Sequence, residues 1–417
     1  MSVLGRWIGV GAAIGVAAAM SPMFAGGIDA QDIRSALSRV RPQTVETSVF
    51  EGLDLTRMKL HPRRVTAPLP DGRTAILTLD PELQRSTSGI MARYQIPEAG
   101  VVLMNVKTGD VLTYASYVHK GPQFDVNARA EAPAASVFKV VTGAALVELA
   151  GLNAETEQCY HGGRSKITER ELRDDPDRDK YCASLAAAMG RSLNVVFARL
   201  SQKHLSVEQL TQMGGAFGFG APIPFEVNNQ APGIALPHQP VEFARASAGF
   251  WHTSLSPLAG ASLAQTVAGR GLTLRPRIVQ QVIAAPNEEG EREVLYQKSK
   301  DPVVLRRAVR PETAEQVTRM MVQTTKNGSA YKTFHDRRGR PFLPKISVAG
   351  KTGTLTRHKK NRHYTWFVGF APAEDPEVAV SALVVNTPKW RVKGPDLARD
   401  ALRAYFAKRG RKGVSRP

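Results

Sequence analysis

Apolar residues recur along this chain at two spacings, one suited to strands and one to helices, and the strand-like stretches lie toward the two ends. Arg73-Thr74-Ala75-Ile76-Leu77-Thr78-Leu79 reads as a strand. Asp80-Pro81-Glu82-Leu83-Gln84 then opens a helix, with Asp80 as N-cap and Pro81 at the first helical position. Two β-rich runs, Val101 to Met104 and Val111 to Tyr114, flank Lys107 to Asp110, a turn that needs its glycine, so the predicted hairpin spans Val101 to Ser116. Ser136 to Leu149, Ala183 to Gln202 and Val207 to Met213 are apolar at helical spacing. Strand patterns return at Lys345 to Val348, Thr365 to Phe370 and Val378 to Val385, before a closing helix over about Pro395 to Phe406. Strands at both ends around central helices predict one mixed α+β domain, whose ends meet in a single sheet.

The regions outside that pattern set the organisation. Trp7 to Gly27 is an uncharged stretch of 21 residues preceded by Arg6, and a bilayer asks for about 20. Residues 1–27 are therefore expected to be a membrane anchor. The alternative is a signal peptide removed near Ala17-Ala18-Ala19, with secretion to the periplasm. In either case the remainder lies outside the cytoplasm, although Arg34, Arg39 and Arg41 weaken any orientation drawn from charge asymmetry. Residues 28–72 show no sustained periodicity and read as a tether with one helix near Ala30 to Arg39; 73–407 form the folded domain, and 408–417 a disordered basic tail.

Composition adds little beyond this. The 417 residues have the apolar and charged fractions of an ordinary globular protein and a net charge of +19. No zinc finger, basic zipper or aromatic-basic RNA motif accompanies the charge, so nucleic acid is not expected as a partner. An anionic polymer or lipid surface and a plain solvated basic surface remain the two readings of it. Cys159 and Cys182 flank a polar segment, lack metal-site spacing, and are candidates for a disulfide in an oxidising compartment.

Three short motifs carry the chemistry. Ser136-Val137-Phe138-Lys139, Ser192-Leu193-Asn194 and Lys351-Thr352-Gly353-Thr354 follow one another in that order. Each is weak alone, because Ser329-Ala330-Tyr331-Lys332 and Lys107-Thr108-Gly109 spell the first and third again. Order and context discount those two copies. Positions i and i+3 share a helix face, so Lys139 can stand beside the Ser136 hydroxyl as its base. A lysine with an ordinary pKa of about 10.4 is protonated at neutral pH, so this role needs burial or a second cation, which Lys351 could supply. Lys351 is expected to end a strand, Ile346 to Gly350, and Gly353 to let substrate backbone approach it.

The ordered set resembles the penicillin-binding transpeptidases, serine enzymes of the D,D-peptidase and β-lactamase superfamily. Thr78 to Gln84, Phe217-Gly218-Phe219-Gly220 and Trp366-Phe367-Val368-Gly369 are also similar to stretches of that family. The resemblance implies a central antiparallel sheet flanked by helices with an adjoining helical subdomain, and an acyl-enzyme on Ser136. It further implies that Ser192 relays a proton, Asn194 holds the substrate amide, and Thr352 and Thr354 bind its carboxylate. Backbone N–H groups of Ser136 and Thr354 would form the oxyanion hole. The implied reaction cross-links D-Ala-D-Ala stem peptides of peptidoglycan and is blocked by β-lactams. No metal or organic cofactor is implied, and a separate glycan polymerase is a candidate partner. Three alternatives stay open: a D,D-carboxypeptidase, a β-lactamase (although no Glu-x-x-Leu-Asn element is present), and a non-catalytic penicillin-binding-like partner in a wall-synthesis complex. Arg357, His358, Lys359, Lys360 and Arg362 read as an exposed basic loop, with steering of an anionic substrate as the alternative.

Overall fold

The computed structural model describes residues 47–163, 166–357, 361–387, 390 and 392–414. Its centre is an antiparallel five-stranded sheet. The strands are β1 (Glu98–Asn105), β2 (Val111–Val118), β3 (Ala349–Arg357), β4 (Arg362–Ala371) and β5 (Val378–Asn386), in spatial order β3-β4-β5-β1-β2. The two halves of the chain meet where β5 pairs with β1, Ser381 opposite Val102. Every residue of β5 is buried, as a central strand covered on both faces requires.

Helices cover the two faces. Helix α1 (Pro81–Arg93) is capped by Asp80, whose carboxylate accepts from the N–H groups of Glu82 and Leu83. Leu83 and Met91 of α1 join Val101, Val380, Phe367, Leu397 and Leu402 in one apolar cluster. On the opposite face lies a helix buried along its whole length, Pro257–Ala268. A β-carbon on its Gly260 would lie 3.1 Å from Val368 and 3.2 Å from Ser381 Cβ. Beside the sheet stands the helical part: α2 (Lys139–Glu148), α3 (Leu185–Arg191) and α4 (Asn194–His204).

Two boundaries differ from the sequence reading. The folded unit begins at Thr47, so the later part of the presumed 28–72 tether belongs to the fold. Val65–Pro68 pairs with Thr74–Leu77, which pairs in turn with Val279–Ile283 in a second sheet. The closing helix α5 (Gly394–Val414) runs well past Phe406 into the presumed 408–417 tail. Lys408 reaches back to Asp80 at 2.5 Å, and Arg409 pairs with Glu377, so charge partners at the start of α1 and just before β5 hold the added turn. Trp7 to Gly27 lies outside the described residues; among those described, no helix is long and apolar enough to cross a membrane.

Cys159 and Cys182 lie opposite each other in a small antiparallel pair, Glu157–Tyr160 with Tyr181–Ser184, and are joined by a disulfide. The loop they close docks on α4 through Arg199, which is fully buried and reaches Asp179 at 2.7 and 3.0 Å and the Glu171 carbonyl at 2.7 Å. Hydrogen bonds from this guanidinium hold the Asp179 carboxyl well below the usual carboxylate range. The bridge spans 23 positions, a loop whose closure stabilises by roughly 3 kcal/mol in the chain-entropy account. The paired Cys159→Ser, Cys182→Ser variant should therefore lose about that much in urea denaturation. An unchanged midpoint would show that the Arg199 cluster alone holds the loop.

Candidate active site

The nucleophile candidate sits on a forced turn. Ala135 takes φ 49°, a left-handed value that costs a non-glycine residue free energy and is retained where its surroundings impose it. Three contacts do so here. The Ala134 N–H donates to the Thr253 carbonyl at 3.1 Å. The indole N–H of Trp366 in β4 donates to the Pro133 carbonyl at 2.9 Å. Gly249, at φ 85°, lies so close to the Ala135 carbonyl that no side chain would fit there. Ser136 then opens the tight 3-10 turn Ala135–Phe138, which feeds directly into α2.

Lys139 is the first residue of α2 and is fully buried. Its Nζ lies 2.8 Å from Ser136 Oγ, 2.7 Å from Asn194 Oδ1 and 2.5 Å from the Ala248 carbonyl. Burial pushes its pKa well below the ordinary lysine value, and the nearby Lys351 charge pushes the same way. A neutral amine has two hydrogens and one lone pair. With the hydrogens on the two carbonyl oxygens, the lone pair is left for the Ser136 O–H.

Ser192 and Asn194 enter the cleft because the predicted helix from Ala183 to Gln202 is broken. Ser192 ends α3 in the left-handed region at φ 59°, ψ 44°, Leu193 is extended, and α4 starts at Asn194. An unbroken helix would send positions 192 and 194 about 200° apart, so the break lets both side chains face one site. Lys351 Nζ lies 2.9 Å from Ser192 Oγ and 3.0 Å from the Thr352 carbonyl. It is fully buried, and burial lowers its pKa to about 7.

The strand β3 begins at Ala349 and continues through the whole third motif, so Lys351 lies inside a strand rather than at the end of Ile346 to Gly350. Alternation places Lys351 and Gly353 on one face, Thr352 and Thr354 on the other. A β-carbon at Gly353 would lie 3.2 Å from Val137 Cγ2 and 3.3 Å from the Ala134 carbonyl. The glycine thus lets β3 approach the nucleophile's own turn. Thr354 is exposed and Thr352 partly so.

All eight singled-out residues therefore come together through direct contacts or a shared strand, Thr354 at its exposed margin. Two participants carried no usable signal. The Ala248 carbonyl is a backbone group, and Ser329, discounted as a stray Ser-x-x-Lys, lies with its Oγ 2.6 Å from Thr352 Oγ1. Lys332 of the same string is exposed, and Lys107 of the other copy pairs with Asp375 in a hairpin turn closed by Gly109 at φ 74°. Among the described residues, no group of three or more His, Cys, Asp or Glu could hold a metal. A cavity of about 780 Å³ near Val106, Gln265 and Thr318 contains none of these site residues.

Comparison with known proteins places this geometry. Residues 99–403 match the family model of the penicillin binding protein transpeptidase domain. The peptidoglycan D,D-transpeptidase PbpA of Mycobacterium tuberculosis is 28% identical over 359 residues, covering 76% of this chain and 68% of that protein. Among solved structures, the D,D-transpeptidase domain of a peptidoglycan glycosyltransferase from Eggerthella lenta superposes with TM-score 0.65 at 25% identity, over 81% of this chain and 83% of that one. The imipenem acyl-enzyme complex of penicillin-binding protein A from M. tuberculosis has the same fold, with TM-score 0.65 at 23% identity over 80% of each chain.

Proposed function

From the premise that this chain belongs to the penicillin-binding protein transpeptidase family, we propose that it cross-links peptidoglycan as a serine D,D-transpeptidase acylated on Ser136. The observation that carries this is the fully buried Lys139 amine 2.8 Å from Ser136 Oγ, its other contacts made to carbonyl oxygens. The M. tuberculosis relative is named a peptidoglycan D,D-transpeptidase. Donor substrate is a stem peptide ending in D-Ala-D-Ala, and β-lactams acylate the same serine.

In the first half-reaction Ser136 Oγ attacks the penultimate D-Ala carbonyl while its proton passes to neutral Lys139. Backbone N–H groups of Ser136 and Thr354 receive the oxyanion. The C–N bond breaks as a proton is delivered through Ser192 to the leaving D-Ala amine. Asn194 holds the substrate amide and orients Lys139, while Thr352 and Thr354 receive the terminal carboxylate. In the second half-reaction an amine from a neighbouring strand attacks the ester, gives up its proton and releases Ser136. The catalytic unit acts outside the cytoplasm, held at the membrane by residues 1–27, beside a separate glycan polymerase.

Labelling of the purified domain with fluorescent penicillin, with Ser136→Ala as control, tests this. Long-lived labelling that disappears in the variant is the expected result. Rapid turnover of the label would identify a β-lactamase, and no labelling of a folded wild-type domain would identify a non-catalytic partner.

A further inference from the structure

Around Lys351 the side chains that meet are hydrogen-bond donors: Ser192, Thr352 and Ser329 contribute hydroxyls and Lys351 an amine, with Thr354 exposed next along β3. The contacts that Ser192, Ser329, Thr352 and Lys351 make with one another are to hydroxyls and a carbonyl, with no carboxylate among them. Such a lining suits an anion, which accepts from several hydroxyls at once.

Ser329 is built into this lining from two sides. Its backbone N–H donates to the Gly190 carbonyl at 2.9 Å, two residues before Ser192. Its hydroxyl lies 2.6 Å from that of Thr352 on β3. Gly328 packs so tightly against the Gly190 carbonyl that a side chain would clash, so the loop has little freedom to withdraw. Ser329 thus bridges the end of α3 to the third motif, and its side chain stays exposed to the cleft. The two hydroxyls satisfy each other.

We propose that Ser329 is a specificity-determining residue that, paired with Thr352, recognises the terminal carboxylate of the acyl donor; this rests on the transpeptidase reading above. When the carboxylate arrives the hydroxyl pair opens and each O–H donates to the anion. A neutral donor of the same shape offers a poorer acceptor and gains less from Ser329.

The test compares second-order acylation by benzylpenicillin with acylation by its methyl ester, in the wild type, Ser329→Ala and Ser329→Thr. A hydrogen bond to a charged group is worth about ten- to a hundredfold in rate or affinity. Ser329→Ala should lose that factor with benzylpenicillin and at most about threefold with the ester, while Ser329→Thr, which keeps the hydroxyl, recovers most of the loss. Equal losses with both probes, or no loss with either, in a chain whose wild type is acylated would overturn this proposal alone. Absence of acylation in the wild type would remove the transpeptidase reading and this proposal with it.

Discussion

Lys139→Met should reduce acylation of Ser136 about ten-thousandfold or more while leaving the domain folded. General-base removal costs about 10² to 10⁴, and loss of one member of a nucleophile and base unit costs nearly as much as loss of the unit. The upper end applies because among the described residues no other base touches Ser136 Oγ. Methionine matches the length and apolar stem of lysine, so packing inside α2 is kept. The variant also removes a buried amine that burial and Lys351 both disfavour in its charged form, so thermal stability should hold. Stopped-flow quenching of intrinsic fluorescence by penicillin, with calorimetric melting alongside, measures both. Near-wild-type acylation in this variant would transfer the base role elsewhere.

Replacement of the second lysine should separate catalysis from stability in the other direction. Lys351 has a folded-state pKa of about 7, against about 10.4 in an unfolded chain. Between those values the unfolded chain binds a proton that the folded chain does not, so stability rises with pH across the window. Below about 7 the folded state carries the full penalty, several kcal/mol at about 1.4 kcal/mol per tenfold change in proton affinity. Lys351→Met should therefore melt higher than wild type at pH 6, and the gain should shrink toward pH 10. Acylation should meanwhile fall about a hundredfold or more, through loss of the cation that holds Ser192 and favours neutral Lys139. The wild-type pH profile follows the same signs. Acylation rises as pH climbs through the depressed Lys139 pKa and falls as Lys351 loses its proton near 7. A profile with no alkaline limb, or a variant that melts lower at pH 6, would show that Lys351 works as a neutral amine.

Burial disfavours the charged form of both lysines, and backbone strain lies beside them. Ala135 and Ser192 hold left-handed backbones, and two amines lie in the interior. Ala135 adjoins Ser136, the Lys139 amine touches it and Lys351 meets Ser192, beside a sheet anchored by the large cluster that includes Val101, Val380 and Phe367. Rigid support of that kind lets a strained site persist.

The sequence by itself determined the local elements and the order of the chemistry. Asp80-Pro81 opens its helix, the glycine turn closes the first hairpin, and Val378 to Val385 forms the central strand, because caps, turns and apolar runs act over a few neighbours. The three motifs brought out Ser136, Lys139, Ser192, Asn194 and Lys351 because short spacings such as i and i+3 leave a mark in the chain. Tertiary structure alone decided the rest. Lys351 on β3 meets Ser192 at the end of α3 across 159 positions, and β5 pairs with β1, contacts that no local pattern encodes. The breaks at Ala135 and Ser192 oppose local preference; Gly249 and Trp366 pack on the first, and Ser329 and Lys351 hold the segment of the second. The Ala248 carbonyl and Ser329 became part of the site for the same reason: what they contribute is position, and position comes from packing of segments far apart in the chain.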